Sequence, residues 1–136
     1  EAVSMLMTAL VGTGDEVLVP SPCYSLWSNN TYLGGGKPVH YRCAPENDWH
    51  PDLEDIRRKI TSRTKAILVI NPNNPTGAVY SKETLLAIAQ LAREHHLLLL
   101  ADEIYDRLVL ENLPTYSLAA LAPDVPCVTF NAWSSR

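Results

Sequence analysis

Two nearly unbroken aliphatic runs constrain this sequence most, and they cover Lys65 to Ile70 and Leu97 to Ala101. A strand that is apolar at every position must be covered on both faces, as strands in parallel sheets usually are. Between the runs, Ser81 is a good N-cap for a helix whose apolar residues recur at helical spacing. The order strand, helix, strand predicts parallel strands joined by a crossover helix.

The remainder of the chain continues this alternation. Short strands are expected at 16–19, 39–42 and 128–130, and helices at 3–11, 24–33 and 52–60. The first helix is apolar nearly all round, which predicts that it is buried. Pro20, Ser21 and Pro22 are predicted to turn the chain after the first strand. The predicted fold class is therefore α/β, a three-layer sandwich with a mainly parallel sheet.

Composition argues against several classes of function. The 136 residues are 46% hydrophobic and 19% charged, which is typical of a folded globular protein. A net charge of -4 with interleaved acids and bases provides no basic patch for nucleic-acid phosphates. No apolar run approaches the roughly 20 residues of a membrane span. The three cysteines are odd in number and form no CxxC pair, so we expect no metal site and a reduced, cytoplasmic protein.

Polar residues follow the predicted strands at the points where ligands bind in parallel α/β proteins. Asp102 follows one aliphatic run, with Tyr105 close behind it, and Tyr24 follows the first strand. The loop Asn71-Pro-Asn-Asn-Pro-Thr-Gly77 follows the other run. Its first and third residues are interpreted as turn-shaping, which leaves Asn74 as the candidate ligand. We expect an acid, an amide and two phenols to meet at this edge.

These segments resemble a known family. The string from Gly14 to Tyr24, the 71–77 loop and Ala101-Asp-Glu-Ile-Tyr105 are similar to class I and II aminotransferases of fold type I, which use pyridoxal 5'-phosphate (PLP). The motif Pro-Asn-Asn-Pro-Thr-Gly-Ala-Val-Tyr-Ser and the phrase Val128-Thr-Phe-Asn131 resemble bacterial alanine (glutamate–pyruvate) aminotransferases. The resemblance implies that residues 1–136 are part of the large PLP-binding domain. It also implies a homodimeric parent enzyme that acts on an amino acid and a 2-oxo acid.

The resemblance also implies roles for individual residues. Asp102 would pair with the pyridine nitrogen, where a carboxylate keeps the ring protonated and able to withdraw electrons. Asn74 and Tyr105 would contact the phenolate oxygen, and Tyr24 would stack on the ring. The full set of expected cofactor-binding residues is Val3, Ser4, Tyr24, Asn74, Asp102, Tyr105 and Ser134. The first two of these are expected at the phosphate.

One position departs from the family pattern. In the family a Ser-Lys pair follows the last strand, and the lysine forms the Schiff base with the cofactor. Here Ser134 and Ser135 stand at these positions, and no lysine follows Lys82. A serine hydroxyl cannot form an imine, so we expect no catalytic residue at this position and an inactive fragment. Segments that precede Glu1 and follow Arg136 in the family are expected to be missing, among them the small domain.

Two alternatives stay open on the sequence alone. The parent could catalyse another reaction of the same scaffold, such as a β-elimination of the lyase type. It could also be a non-catalytic binding module with an aminotransferase-like fold, which Ser135 favours. An isolated Asp at a strand end is more often a turn or cap residue, and only the combination with Asn74 and Tyr105 favours a ligand role. The tryptophans Trp27, Trp49 and Trp133 are interpreted as packing residues.

Overall fold

The computed structural model describes residues 1–109 and 113–132, and these contain five strands and five α-helices. The strands are β1 (Glu16–Ser21), β2 (Lys37–Arg42), β3 (Thr64–Ile70), β4 (Leu98–Asp102) and β5 (Cys127–Phe130). The helices are α1 (Ala2–Leu10), α2 (Ser25–Leu33), α3 (Leu53–Lys59), α4 (Lys82–Glu94) and α5 (Leu118–Leu121). A short 3-10 helix covers Pro45–Asn47.

The five strands form one sheet in the order β2-β1-β3-β4-β5, and every neighbouring pair is parallel. Helices α1 and α2 pack on one face around Met7 and Trp27, which are fully buried. Helices α3, α4 and α5 pack on the other face and bury Ile56, Ile88 and Leu118. The predicted three-layer α/β sandwich with a parallel sheet is confirmed.

The sheet changes direction between β1 and β3. From β1 the chain steps outward to β2, and it then crosses back so that β3, β4 and β5 are added on the other side. Right-handed crossovers that step in opposite directions must lie on opposite faces, which explains why α2 and α3 are on different sides. The loops after β1 and β3 therefore leave the sheet in opposite directions. Parallel α/β proteins usually bind their ligands at such a point, outside the carboxyl ends of the strands.

The expected turn at Pro20 and Ser21 is wrong, because both residues extend β1. Strand β1 pairs with β2 as far as Ser21 but with β3 only as far as Leu18. Beyond Leu18 one side of β1 is free, so a residue without an N–H is tolerated there. The chain turns only after Ser21.

The expectation that the first helix is buried is also wrong. In α1 only Met7 is fully buried, and Met5 is 67% exposed. The inner side of the helix packs against α2 and the sheet, and its outer side, which mixes Met5 and alanines with Ser4 and Thr8, is open to solvent. No helix in the described part of the chain has the length and apolar character needed to cross a lipid bilayer.

Glu103 connects the end of β4 to α5. Its backbone N–H donates to the Phe130 carbonyl at 2.8 Å, and its Oε1 accepts from the Leu118 N–H at 2.8 Å. Only 8% of the residue is exposed. This burial raises the pKa of the carboxyl group, against the opposing effect of its hydrogen bonds from Leu118 and Ser117. Glu103 is therefore a structural acid.

We predict that Glu103→Gln changes how stability depends on pH, because the amide keeps the acceptor oxygen and removes the charge. The pKa of Glu103 in the folded chain lies above its usual 4.5, so its stabilising contribution is complete below pH 4.5 and is lost as the pH rises. The variant should therefore gain unfolding free energy relative to the wild type over the pH range above 4.5, measured by urea titration. Glu83→Gln, at an exposed position of α4, is the control. A constant difference between Glu103→Gln and wild type over this range would contradict the prediction.

Candidate functional site

The structure brings the predicted polar residues to one edge of the sheet. Tyr24 follows β1 and is the N-cap of α2, and Asn74 lies in the loop after β3. Asp102 is the last residue of β4, and Tyr105 lies in the turn that follows. Because the strands are all parallel, their carboxyl ends lie along the same edge of the sheet.

Asp102 is held by a tryptophan from the other end of the sequence. The indole Nε1 of Trp27 donates to Asp102 Oδ2 at 2.8 Å. The second oxygen, Oδ1, lies 3.4 Å from the Ile104 backbone nitrogen, which makes a long hydrogen bond. A carboxylate oxygen can accept more than one hydrogen bond, so Oδ1 retains capacity for a strong donor. Asp102 is half-buried and can receive such a donor at this edge of the sheet.

The loop at 71–77 is shaped by its own asparagines, as expected. Asn71 Oδ1 accepts from the Tyr80 N–H at 2.8 Å. Asn73 Oδ1 accepts from the Thr76 hydroxyl at 2.9 Å, and the Asn73 carbonyl accepts from the Gly77 N–H. Gly77 has φ of 74°, a conformation that favours glycine. Asn71 and Asn73 are buried, whereas Asn74 is half-buried at the surface of the loop.

Asn74 and Tyr105 share an open cleft of about 780 Å3. His50 and Asp48 also line this cleft, and His50 Nδ1 is 3.4 Å from the Thr84 hydroxyl. Asp102 and Tyr24 are not among the residues that line it. The structure thus places Asn74 with Tyr105, and Asp102 with Trp27, on neighbouring parts of one edge.

Tyr24 and the start of α1 lie at the same edge. Tyr24 is 53% exposed, so a face of its ring is open to a ligand. A Cβ added at Gly34, after α2, would lie 3.1 Å from the Met7 carbonyl, so the carboxyl-terminal halves of α1 and α2 are adjacent. Each helix is connected to β1 by a short link, which sets the amino ends of both at the carboxyl edge of the sheet. Val3 packs against the cluster that contains Trp27, and Ser4 is exposed.

Some expectations lie outside the described residues or were incomplete. Trp133, Ser134 and Ser135 lie outside the described residues. Trp27 is a packing residue, as interpreted, but it is also the hydrogen-bond donor to Asp102. Its position three residues after Tyr24 at the start of a helix is the only sequence signal for this second role.

Comparison with known proteins identifies the family. Residues 1–134 match the family model of aminotransferase class I and II. Over 134 residues the chain is 55% identical to an alanine aminotransferase of Mycobacterium bovis and 53% identical to the glutamate-pyruvate aminotransferase AlaA of Escherichia coli. Each match covers 98% of this chain but only 31% and 33% of the relative, respectively. The chain thus spans about a third of the length of these relatives.

Solved structures agree with the sequence matches. An aminotransferase from Escherichia coli superposes with a TM-score of 0.94 at 53% identity, over 96% of this chain and 32% of that one. An alanine aminotransferase from Pyrococcus furiosus gives a TM-score of 0.91 at 48% identity, over 96% and 33%. With its parallel sheet, its acid at the end of β4 and its match over residues 1–134, this chain belongs to the class I and II aminotransferases.

Proposed function

We propose that the full-length protein is a PLP-dependent aminotransferase that moves an amino group between an amino acid and a 2-oxo acid. Alanine and glutamate are the favoured amino acids, because relatives at 53–55% identity carry the names alanine and glutamate-pyruvate aminotransferase. Residues 1–136 would form part of its large, cofactor-binding domain. The observation that carries the proposal is Asp102, a carboxylate at the carboxyl edge with one oxygen fixed and one able to accept a charged donor.

The donor and acceptor set of the edge fits PLP. When bound, PLP supplies the electron sink that stabilises negative charge on the substrate carbon, provided that its ring nitrogen is protonated. Asp102 Oδ1 has the capacity to accept a hydrogen bond from the protonated ring nitrogen. A charge-assisted hydrogen bond of this kind is stronger than a neutral one. Glu103, its neighbour, is occupied by the Leu118 N–H and is buried. Of the two acids, Asp102 therefore fits the ring nitrogen.

The other proposed contacts with PLP follow from the hydrogen-bonding groups and the exposure of each residue. Asn74 and Tyr105 line one cleft, and both can donate a hydrogen bond to the phenolate oxygen. The exposed ring of Tyr24 can stack on the cofactor and hold it in place. The amino end of α1, with Val3 and Ser4, offers free backbone N–H groups and the positive end of the helix dipole to the phosphate.

Several further features belong to the proposal. Ser134 would contact the cofactor from the segment after β5. The side chain of Met5 on α1, which is 67% exposed, supports a homodimer in which a second subunit covers part of this surface. A cytoplasmic location is proposed from the odd number and wide spacing of the three cysteines.

A second candidate function is a non-catalytic, aminotransferase-like binding module. The observation that favours it is Ser135, which we propose to stand where the family has its cofactor-binding lysine. The family match ends at residue 134 and does not extend to this position. In this alternative the chain would bind the cofactor without a covalent link.

We predict that, in a full-length protein with the family's lysine restored at position 135, Asp102→Asn reduces transamination far more than Glu103→Gln does. Both changes remove a charge and keep the shape, so the capping role of Glu103 is not confused with catalysis. Losing a hydrogen bond to a charged group costs about 1.5–3 kcal/mol, which corresponds to a loss of roughly 10- to 150-fold in kcat/KM. Glu103→Gln should change kcat/KM by less than about 3-fold. The assay uses alanine with 2-oxoglutarate, and equal losses in the two variants would mean that Asp102 does not face the ring nitrogen.

A further prediction concerns Ser135. We expect that this chain, incubated with PLP and reduced with borohydride, acquires no label in the peptide that contains Ser135, since a hydroxyl cannot form a reducible imine. The measurement is peptide mapping by mass spectrometry. Labelling of surface lysines such as Lys82 is expected and serves as the internal control. A reducible adduct at Ser135 would contradict the proposed alignment.

A further inference from the structure

The contact between Trp27 and Asp102 is the longest-range link within the site. It joins residues 75 positions apart with a distance of 2.8 Å between Nε1 and Oδ2. Trp27 is fully buried, and its indole N–H is a donor that has no lone pair to accept with. A buried indole N–H needs an acceptor, and here that acceptor is the carboxylate proposed to face the cofactor.

The tryptophan ring is fixed on several sides. The ring of Phe130 meets it edge-on, with centroids 5.1 Å apart and planes at 83°. Phe130 lies directly opposite Asp102 in the register of β4 and β5. The paired strands therefore fix both the Phe130 ring and the Asp102 carboxylate. The Asp102 carbonyl in turn accepts from the Asn71 N–H at 3.0 Å. Neither partner of the hydrogen bond can shift without disturbing the sheet.

Helix α2 connects this contact to Tyr24, the residue proposed to stack on the cofactor. Tyr24 occupies the N-cap position of the helix, and Trp27 follows three residues later, which places the two side chains near each other on the helix surface. One end of α2 therefore carries an exposed tyrosine ring and a buried tryptophan ring that donates to Asp102. A movement of α2 would displace both together.

We propose that Trp27 is a positioning residue, whose indole holds Asp102 Oδ2 so that Oδ1 is directed at the ring nitrogen of the cofactor. The inference rests on the proposed function, because it assigns Asp102 to that nitrogen. A carboxylate without this donor can rotate about its side-chain torsions, and both oxygens then compete for the same ligand. Since the indole only donates, Oδ2 must remain an acceptor, and a proton shared with the cofactor lies on the side of Oδ1.

The test uses two ligands that differ only at the ring nitrogen. These are pyridoxamine 5'-phosphate, which cannot form an imine with a lysine, and its analogue in which CH replaces the ring nitrogen. Their dissociation constants are measured by fluorescence with the cofactor-free, full-length protein. Trp27→Phe keeps an aromatic ring against Phe130 and removes the donor. Trp49→Phe, which removes an indole N–H from another, half-buried position, is the matched control.

We expect Trp27→Phe to weaken binding of pyridoxamine 5'-phosphate by about 10-fold, as for loss of a charge-assisted contact, and binding of the CH analogue by less than about 3-fold. Trp49→Phe should leave both constants unchanged. Equal weakening of both ligands by Trp27→Phe would overturn the proposal, since a purely structural residue does not distinguish nitrogen from carbon. If that variant fails to fold, Trp27→His is compared instead. It keeps a ring N–H, and loss of its preference for the nitrogen ligand would overturn the proposal.

The same measurement separates this inference from the proposed function. A wild-type protein that binds neither ligand would overturn the proposed function and the role of Trp27 with it. A wild-type protein that prefers the nitrogen ligand, with a Trp27→Phe variant that keeps this preference in full, would overturn the role of Trp27 alone.

Discussion

The parallel pairing of β3 with β4 determines how Asp102 and the Asn71–Gly77 loop lie relative to each other. In this register Ile70 is opposite Asp102, and on the next strand Phe130 is opposite Asp102 as well. The acid therefore leaves the sheet at the level where the Asn71–Gly77 loop begins. A slip of one residue would turn Asp102 to the other face of the sheet and away from Trp27. The aliphatic side chains of β3 and β4, buried on both faces, make such a slip costly.

This geometry gives two adjacent acids different roles. Successive side chains at the end of a strand point to opposite faces. Asp102 accordingly meets Trp27 on the face of α1 and α2, whereas Glu103 meets the first N–H of α5 on the opposite face. The Asp102 carboxylate retains an oxygen for a ligand, whereas the Glu103 carboxylate is already hydrogen-bonded within the fold. The alternation of the strand, and not the chemistry of the side chains, separates a binding residue from a structural one.

Much of this arrangement could be predicted from the sequence, because it depends on local patterns. The aliphatic runs predicted β3 and β4, and the turn-forming loop predicted the position of Asn74. The role of Trp27 could not be predicted, since its hydrogen bond crosses 75 positions and depends on how α2 packs on the sheet. The exposure of α1 was missed for a related reason. An apolar helix shows that cover is needed, but it does not show which segment or subunit provides it.

The most direct test of this account is a crystal structure of the full-length protein with bound PLP. The distance of interest joins the ring nitrogen of the cofactor to the nearer carboxylate oxygen of Asp102. We predict about 2.7–2.9 Å, the usual length of a charge-assisted hydrogen bond, with Oδ1 as the acceptor and Trp27 still bonded to Oδ2. A ring nitrogen that faces solvent or a neutral side chain, with Asp102 more than about 4 Å away, would contradict the account.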